Sequence, residues 1–245
     1  MATDAPSTPD APIQGARARA RAEVRAAILT TASEHLADGG AASLSLRAVA
    51  RDLGMVSSAV YRYFSSRDEL LTALIIEAYD SLGECAEQAA AASVGAPPVT
   101  RWVDAALAVR AWALTHPYDY ALLYGTPVPG YAAPDDTVLP GTRVSSALVG
   151  IVRDAVRDGT LSPSPTPDDP TVGEGNRASF DALRGELDLR ITDAQLLDVL
   201  LAWTQLFGLL SFELFGQTRN FVADDELLFR DAALAMARRI GLPER

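Results

Sequence analysis

The residues of this sequence best suited to chemistry lie within residues 57–63, which carry short hydroxyls, a methyl group, a guanidinium and two phenols. They are Ser57, Ser58, Ala59, Tyr61, Arg62 and Tyr63. Hydroxyl, guanidinium and phenol groups can bond base edges or phosphate oxygens of duplex DNA, and a methyl group can pack against the methyl of thymine. This mixture predicts a surface that contacts nucleic acid, provided that one helix displays it.

The flanking residues predict two short helices joined by a tight turn. Residues 46–53 form the first helix, Gly54 permits the turn, and residues 57–64 form the second, with Ser57 at its cap. Val60 and Phe64 recur at helical spacing, so we expect them to face inward and their neighbours to be exposed. In such a helix-turn-helix, the second helix enters the major groove, which is wide enough for one helix.

Charge is distributed unevenly along the chain. The net charge is -11, yet residues 17–69 carry eight Arg against six acidic residues, whereas residues 70–245 carry thirteen Arg against twenty-four. Phosphate groups are attracted to positive charge and repelled by negative charge. The N-terminal head is therefore the part of the chain whose charge is expected to allow contact with DNA.

Composition and periodicity predict an all-α protein in three parts. Residues 1–16 are rich in Ala, Pro, Ser and Thr without periodicity, and we expect a disordered tail. Residues 17–66 form a three-helix head that contains the helix-turn-helix. Residues 67–245 form a larger helical body.

Within the body, helical spacing predicts long helices separated by breaks rich in Pro and Gly. Ser66 followed by Glu69 is a capping-box pattern that opens the first of them. The predicted helices cover residues 66–92, 101–115, 143–158, 193–215 and 224–240. Residues 125–141 are expected to form a loop, and residues 162–176 a mobile polar stretch.

The run SLRAVARDLGMVSSAVYRYFSSRDELLTALI, within residues 21–72, resembles the N-terminal domain of TetR-family regulators. The positions in register are Ala50, Leu53, Gly54, Val60, Tyr61, Phe64, Leu70 and Leu71. Arg67 stands where the family usually has Lys, and Tyr63 replaces the commoner His. The resemblance implies a double-stranded DNA operator as the partner of the head.

The resemblance also implies roles for individual residues. Arg47 would reach a phosphate or a base edge, and Arg67 would clamp a phosphate. The residues that would enter the groove are Ser57, Ser58 and Ala59, and those that would grip the backbone are Tyr61 and Tyr63. Arg17, Arg19 and Arg21 would form a basic arm. Other interpretations stay open: Tyr61 as partly core, Arg47 and Arg51 as solvated charges, and the arm as a solvated tail.

Two stretches of the body resemble TetR regulators with a WHG-type C-terminal domain, namely residues 115–134 and 202–216. Trp203, Phe207 and Gly208 stand where that group usually has Trp, His and Gly. Aromatic residues on these helices could line a pocket for a small-molecule effector of unknown identity, or they could only fill the core. They are Trp112, Tyr120, Tyr124, Trp203 and Phe207.

By the same resemblance, the chain would be a ligand-responsive repressor that binds a palindromic operator as a homodimer and is released by its effector. We expect dimerisation through residues 194–215 and 226–239, where Gly208 and Ser211 would permit close approach of a partner helix. Truncation before Asp224 should leave the protein monomeric or aggregated.

Several classes of function find no support in the sequence. It has no glycine-rich phosphate loop, no nucleophile elbow and only two histidines, so we expect neither an enzyme nor a metal or cofactor site. Cys85 is read as a small apolar helix residue, with a redox sensor as the alternative. No uninterrupted apolar run predicts a membrane span or secretory signal, and we expect a cytoplasmic protein. The rival hypotheses are a helical scaffold that has lost DNA binding and a helical enzyme.

Overall fold

The computed structural model describes residues 11–163 and 174–245. Over these ranges it contains α-helices and no strand, which confirms the predicted all-α class. The helices are α1 (Ala11–Gly39), α2 (Leu46–Asp52), α3 (Ser57–Val60), α4 (Arg67–Ala92), α5 (Pro98–Thr115), α6 (Pro117–Tyr124), α7 (Val138–Gly141), α8 (Arg143–Arg157), α9 (Glu174–Leu187), α10 (Asp193–Leu214) and α11 (Asp225–Ile240). Single turns of 3-10 helix lie at Ala41–Ser43 and Asp135–Thr137.

The chain forms two compact units. The described residues up to Leu74 form the first unit with the loop Pro127–Ala132, and Ile75–Thr126 forms the second with the described part of Ala133–Arg245. The boundary that the sequence suggested, between residues 66 and 67, lies inside the first unit. Helix α4 has residues in both units.

The first turns of α4 belong to the first unit because their apolar side chains are buried in its core. Leu70 and Leu71 are fully buried, and burial of such a side chain contributes about 1.5–3 kcal/mol. The hydroxyls of Thr72 and Tyr131 lie 2.9 Å apart, so the loop Pro127–Ala132 is hydrogen-bonded to α4. Periodicity could not reveal this contact, since the two residues are far apart in sequence.

Helix α1 begins earlier than expected. It starts at Ala11, so residues 11–16 are helical rather than part of a disordered tail, and residues 1–10 of that predicted tail lie outside the described residues. Arg17, Arg19 and Arg21 are exposed on this helix. The prediction of a basic arm ahead of the first helix was therefore wrong; the Ala- and Arg-rich sequence here continues the helix, as the helix propensity of both residues favours.

Two further segments differ from the sequence prediction. Within residues 125–141, expected to be a loop, Asp135–Thr137 and α7 are helical turns. Pro140 is tolerated there because the first residues of a helix need no N–H donor. The sequence did not predict helix α9, because its many polar residues weaken the helical spacing of its apolar residues Phe180, Leu183 and Leu187. Part of the predicted mobile stretch, residues 164–173, lies outside the described residues.

The core of the second unit is built around α5, which packs against α8, α10 and α11. Val109, Ile151 and Leu206 are fully buried there. Arg110 on α5 donates from Nε and Nη2 to the Glu213 carboxylate on α10, at 2.9 and 2.6 Å. This bidentate ion pair fixes the register of the two helices, because a planar guanidinium matches a carboxylate in one orientation.

Helix α10 is the most apolar of the described helices, and by length and composition it could cross a membrane. However, its Asp198 is buried and accepts a hydrogen bond from Nε of Arg239 on α11 at 2.7 Å. Its N-terminus carries a capping box in which Thr192 and Gln195 bond each other's backbone N–H groups. These contacts are those of a helix packed within a protein core.

Candidate nucleic-acid interface and ligand cavity

The turn between α2 and α3 has the predicted geometry. Gly54 has a φ of +65°, in the left-handed region that favours glycine. The N–H of Met55 donates to the carbonyl of Ala50 at 2.8 Å, and that of Gly54 to Arg51 at 3.0 Å. These bonds satisfy the last carbonyls of α2 and turn the chain sharply into α3. The expected helix-turn-helix is therefore present.

The residues after the turn divide into a buried and an exposed set. Val60 is 0% exposed and Phe64 is 2% exposed, which confirms that they face inward. Ser58 and Arg62 are exposed, and Tyr61 is 45% exposed. Of the remaining predicted DNA-contacting residues, Arg47 is exposed, and Ser57, Ala59, Tyr63 and Arg67 are partly exposed. The groups that could contact DNA thus remain accessible around a fixed apolar anchor.

Helix α3 is shorter than predicted, but the chain stays helical in outline as far as Phe64. The N–H of Tyr61 donates to Ser57, and that of Phe64 to Val60, each at 3.1 Å. The cap also differs from the prediction: Val56 is the N-cap residue, and Ser57 is the first residue of the helix. Ser57 therefore does not cap the helix, and its hydroxyl belongs to the surface that follows the turn.

The start of α4 carries half of the predicted capping box. Ser66 Oγ accepts from the N–H of Glu69 at 3.1 Å, as expected. The Glu69 carboxylate, however, accepts from the N–H and hydroxyl of Ser65, at 2.6 and 2.7 Å, rather than from Ser66. These bonds lower the pKa of Glu69. Arg67 donates from Nη2 to the carbonyl of Ala41 at 2.6 Å.

Two arginines of helix α1 lie against aromatic rings of the helix-turn-helix. The Arg21 guanidinium lies 5.6 Å from the centre of the Tyr63 ring, and that of Arg25 lies 5.4 Å from the Phe64 ring. Such cation–π contacts hold the aromatic rings in place and keep positive charge near them. Arg21, which the sequence suggested as part of a tail, is thus a neighbour of a predicted backbone-gripping residue.

In the second unit, four of the five predicted pocket aromatics form a continuous chain of rings. The ring of Tyr124 lies 5.0 Å from that of Tyr120 and 4.5 Å from that of Phe207, which lies 5.9 Å from that of Trp203. The Tyr120 hydroxyl is 3.0 Å from the carbonyl of Phe207 and 2.9 Å from Oγ of Ser211. Burial raises the pKa of both Tyr120 and Tyr124. These rings are close-packed, and whether they contact an effector stays a prediction.

Trp112, the fifth predicted aromatic, lies outside this chain of rings. Its Nε1–H donates to Oγ of Ser81 at 2.9 Å, and its ring stacks on His116 with centroids 4.9 Å apart. The side chain is therefore satisfied within the core.

A separate cavity of about 350 Å³ opens between α5, α8, α9 and α10. Of the five predicted aromatics, only Trp203 lines it. The other lining residues are Trp102, Thr142, Ser145, Ser146, Leu148, Val149, Arg153, Leu183, Glu186, Leu187, Leu196, Val199 and Leu200. Its volume falls within the range of small-molecule sites.

Comparison with protein families matches both units. Residues 28–74 match the family described as "Bacterial regulatory proteins, tetR family", and residues 102–236 match "Tetracyclin repressor-like, C-terminal domain". The chain belongs to the TetR family. Its C-terminal domain is of the WHG type, and TetR-family membership makes it a DNA-binding transcriptional regulator.

Curated relatives of this TetR-family chain cover most of its length. It is 41% identical over 203 residues to the helix-turn-helix-type transcriptional regulator Rv1816 of Mycobacterium tuberculosis, a match that spans 83% of this chain and 86% of the relative. Regulator Mb1846 of Mycobacterium bovis matches with the same identity and coverage.

Solved structures agree with this assignment. The crystal structure of the regulatory protein SCO4313 superposes with a TM-score of 0.69 at 37% identity, covering 94% of this chain and 98% of that one. The TetR-family regulator PfmR of Thermus thermophilus superposes with a TM-score of 0.55 at 19% identity, covering 86% and 97%. The second likeness shows the shared fold alone.

Sequence reasoning about this TetR-family regulator missed most of the cavity. Trp102 was recognised only as an apolar position of α5, and α9, which forms one wall, was not predicted. A signal was present in the spacing of Leu183 and Leu187, but the polar residues between them weakened it. Periodicity also could not show which buried aromatic faces a void.

Proposed function

We propose that this chain is a repressor that binds a palindromic operator as a homodimer in the cytoplasm and is released when a small molecule binds its second unit. One observation carries the proposal. Val60 and Phe64 are buried, so the helix-turn-helix is anchored, while Ser58, Tyr61 and Arg62 stay accessible beside them. A side chain can read DNA only if its backbone is fixed and its polar end is exposed.

In this proposal, different residues of the helix-turn-helix contact different parts of the DNA. Three small residues would enter the major groove: Ser57, Ser58 and Ala59. Arg47 and Arg62 would bond base edges or phosphates, since guanidinium groups bind both. Tyr61, Tyr63 and Arg67 would hold the backbone. Arg21, beside the Tyr63 ring, adds positive charge to the same surface.

Dimerisation is assigned to α10 and α11 because both carry large apolar side chains exposed in the single chain. On α10 these are Leu201, Trp203 and Phe212, and on α11 they are Leu227 and Leu228. A monomer seldom leaves such apolar surface open to water.

Gly208 also favours a partner helix at α10. It is exposed, and a Cβ built on it would meet no atom within 4 Å in the single chain. Ser211, expected to share this role, is partly exposed, and its Oγ lies 2.9 Å from the Tyr120 hydroxyl. Close approach of a partner helix would therefore occur over Gly208, Ser211 and the apolar residues near them.

In this proposal, the ligand releases the operator by changing the position of α4, which begins in the first unit and continues into the second. A ligand that binds more tightly to the protein with α4 in one position than in another would increase the fraction of molecules that have α4 in that position. The spacing of the two recognition helices of a dimer would then change, and with it their fit to successive grooves. The exposed side chains of the head would themselves remain unaltered.

The test is binding of the full chain to duplex DNA, measured by fluorescence anisotropy over a range of salt concentrations. The first duplex is the promoter next to the chain's own gene, and a second set comes from selection out of a random pool. We expect preference for a two-fold symmetric site and affinity that falls steeply with salt. Equal affinity for all duplexes at low salt would contradict the proposal and favour a scaffold that has lost specific binding.

A further inference from the structure

Val56 is an exposed apolar residue at the start of α3. Its side chain is 71% exposed, and it is the N-cap residue of this helix. Over the part of the first unit whose side chains the structure describes, the exposed large apolar side chains are those of Val56 and Tyr61. Both belong to the helix-turn-helix, whereas Val60 and Phe64 beside them are buried. Exposed apolar surface in this unit is therefore concentrated where contact with DNA is expected.

A valine at this position does not cap α3. N-cap residues are usually Ser, Thr, Asp or Asn, whose side chains accept a hydrogen bond from the first turn of the helix. Valine has no atom that can accept such a bond, and α3 has no side-chain cap. Neither capping nor packing in the core accounts for Val56, so its methyl groups are available to a partner outside the chain.

The backbone holds the Val56 side chain in a defined position. The carbonyl of Val56 accepts from the N–H of Ala59 at 2.9 Å. The N–H of Met55, the preceding residue, donates to the carbonyl of Ala50 at 2.8 Å. Valine branches at Cβ, so its side chain has few rotamers. The two methyl groups are therefore fixed relative to the first residues of α3, which are expected to enter the groove.

The major groove of DNA carries one apolar group that such a side chain can recognise. Thymine has a methyl group at C5, which cytosine lacks, and the bases otherwise present mainly hydrogen-bond donors and acceptors there. In helix-turn-helix proteins, the N-terminal residues of the second helix contact the base edges. Contact between methyl groups removes apolar surface from water and stabilises the complex without adding charge.

We propose that Val56 is a specificity-determining residue whose methyl groups pack against the C5 methyl of one thymine in each half-site of the operator. The sequence had assigned the groove contacts to Ser57, Ser58 and Ala59 and had given Val56 no role. The role of Val56 rests on operator binding by the helix-turn-helix, as in the proposed function. It adds one base, thymine, that the head should prefer over cytosine at one position.

Modified bases test this contact without any other change in the duplex. The reference is a duplex that the full chain selects from a random pool, and each thymine is replaced in turn, in both half-sites, by deoxyuridine, which lacks only the C5 methyl. At one position, this replacement should weaken binding measured by fluorescence anisotropy about fifteenfold, which is about fourfold for each methyl group. Cytosine at that position should bind weakly, and 5-methylcytosine should recover part of the loss.

Val56→Ala should make the thymine and deoxyuridine duplexes bind with nearly equal affinity, because the side chain no longer reaches the methyl group. The slope of log affinity against log salt should stay the same, since no phosphate contact is lost. Val94→Ala is the matched control and should keep the preference, because Val94 is also 71% exposed but lies in the second unit.

Val56→Ser is a second variant that does not depend on the stability of the first. Its hydroxyl can cap α3, so its melting temperature should not fall below that of the wild type. It should nevertheless lose the preference for thymine over deoxyuridine, because both methyl groups of the valine are gone. A variant that stays folded and keeps this preference would contradict the role of Val56.

Failure at Val56 and failure of the proposed function give different results. If a duplex is selected but deoxyuridine weakens binding at none of its thymines, or if Val56→Ala keeps every such loss, the role of Val56 is overturned and operator binding stands. An equal loss of affinity of Val56→Ala for all duplexes, modified or not, would also overturn it. If the full chain prefers no duplex at all, operator binding is contradicted and the role of Val56 with it.

Discussion

Arg67 Nη2 donates to the backbone carbonyl of Ala41 at 2.6 Å, which joins the first turn of α4 to the chain just beyond α1. The sequence suggested Arg67 as a phosphate clamp. A guanidinium has five N–H donors, so this internal bond leaves donors for a phosphate and at the same time orients the side chain. Arg67 is thus expected to act both within the head and on DNA.

Replacing Arg67 with Ala should weaken binding to every duplex by a similar factor, because phosphate contacts carry no sequence information. The plot of log affinity against log salt should become shallower by about 2 for a dimer, which is one phosphate contact from each protomer. Arg67→Lys should keep most of the slope. A lower melting temperature with an unchanged slope would show that Arg67 serves only the bond to Ala41.

Arg62→Ala should reduce operator affinity by about 1–3 kcal/mol without unfolding the protein, since Arg62 is exposed beside the buried Phe64. Anisotropy measures the affinity, and circular dichroism checks the fold. Arg51→Ala is the matched control, because this exposed arginine on α2 pairs with Asp52 and should leave operator affinity nearly unchanged. Equal effects of the two substitutions would argue against Arg62 as a DNA contact.

Phe64→Ala should lower the stability of the protein rather than remove a contact with DNA. Its ring is 2% exposed, and truncation of a buried Phe usually costs about 3–5 kcal/mol. Urea unfolding should show this loss, and DNA binding should fall only to the extent that the head unfolds. Full stability with lost binding would show that Phe64 is not the anchor of the recognition helix.

Acid should weaken the contact between α1 and α2. His35 Nε2 lies 2.6 Å from Oδ2 of Asp52, and this hydrogen bond is the largest of the causes that lower the pKa of Asp52. A carboxyl with a lowered folded-state pKa contributes stability above its ordinary pKa and loses it as the pH falls through the folded-state value. Below about pH 4, the free energy of unfolding should therefore fall more steeply with falling pH in the wild type than in Asp52→Asn.

Carbon-detected titration of the Asp52 carboxyl provides the check on this cause. His35→Ala should raise the pKa of Asp52 towards its ordinary value, since the main hydrogen bond is gone. An unchanged pKa in that variant would assign the shift to Arg51, the other group that bonds this carboxyl.

Leu201→Glu should convert the proposed dimer into a monomer. Leu201 on α10 is 42% exposed in the single chain, and a charge buried in an apolar interface without a partner is strongly unfavourable. Leu114→Glu is the matched control, because Leu114 on α5 is 40% exposed but lies outside the two proposed dimer helices. Analytical ultracentrifugation gives the mass of each variant. A monomeric Leu114→Glu with a dimeric Leu201→Glu would move the interface away from α10.

Local signals in the sequence were sufficient to predict much of the fold of this protein. The spacing of Val60 and Phe64, the glycine at position 54 and the length of α10 each follow from interactions between near neighbours, which periodicity and turn chemistry capture. The family resemblance added the expected DNA-binding role. Helix α9 was not predicted because its apolar stripe is narrow, and the start of α1 at Ala11 was not predicted because residues 11–16, which include Pro12 and Gly15, carry no helical spacing of apolar residues.

The sequence by itself determined the helical class, the helix-turn-helix and which of its side chains face outward, because these depend on contacts a few residues apart. Only the tertiary structure decided that Arg67 bonds Ala41, that Tyr131 bonds Thr72, and that a cavity lined by Trp102 and Trp203 opens between α5, α8, α9 and α10. Such contacts join residues on different elements, or leave a space between elements. Their geometry is set by how whole helices pack, which no local pattern of residues contains.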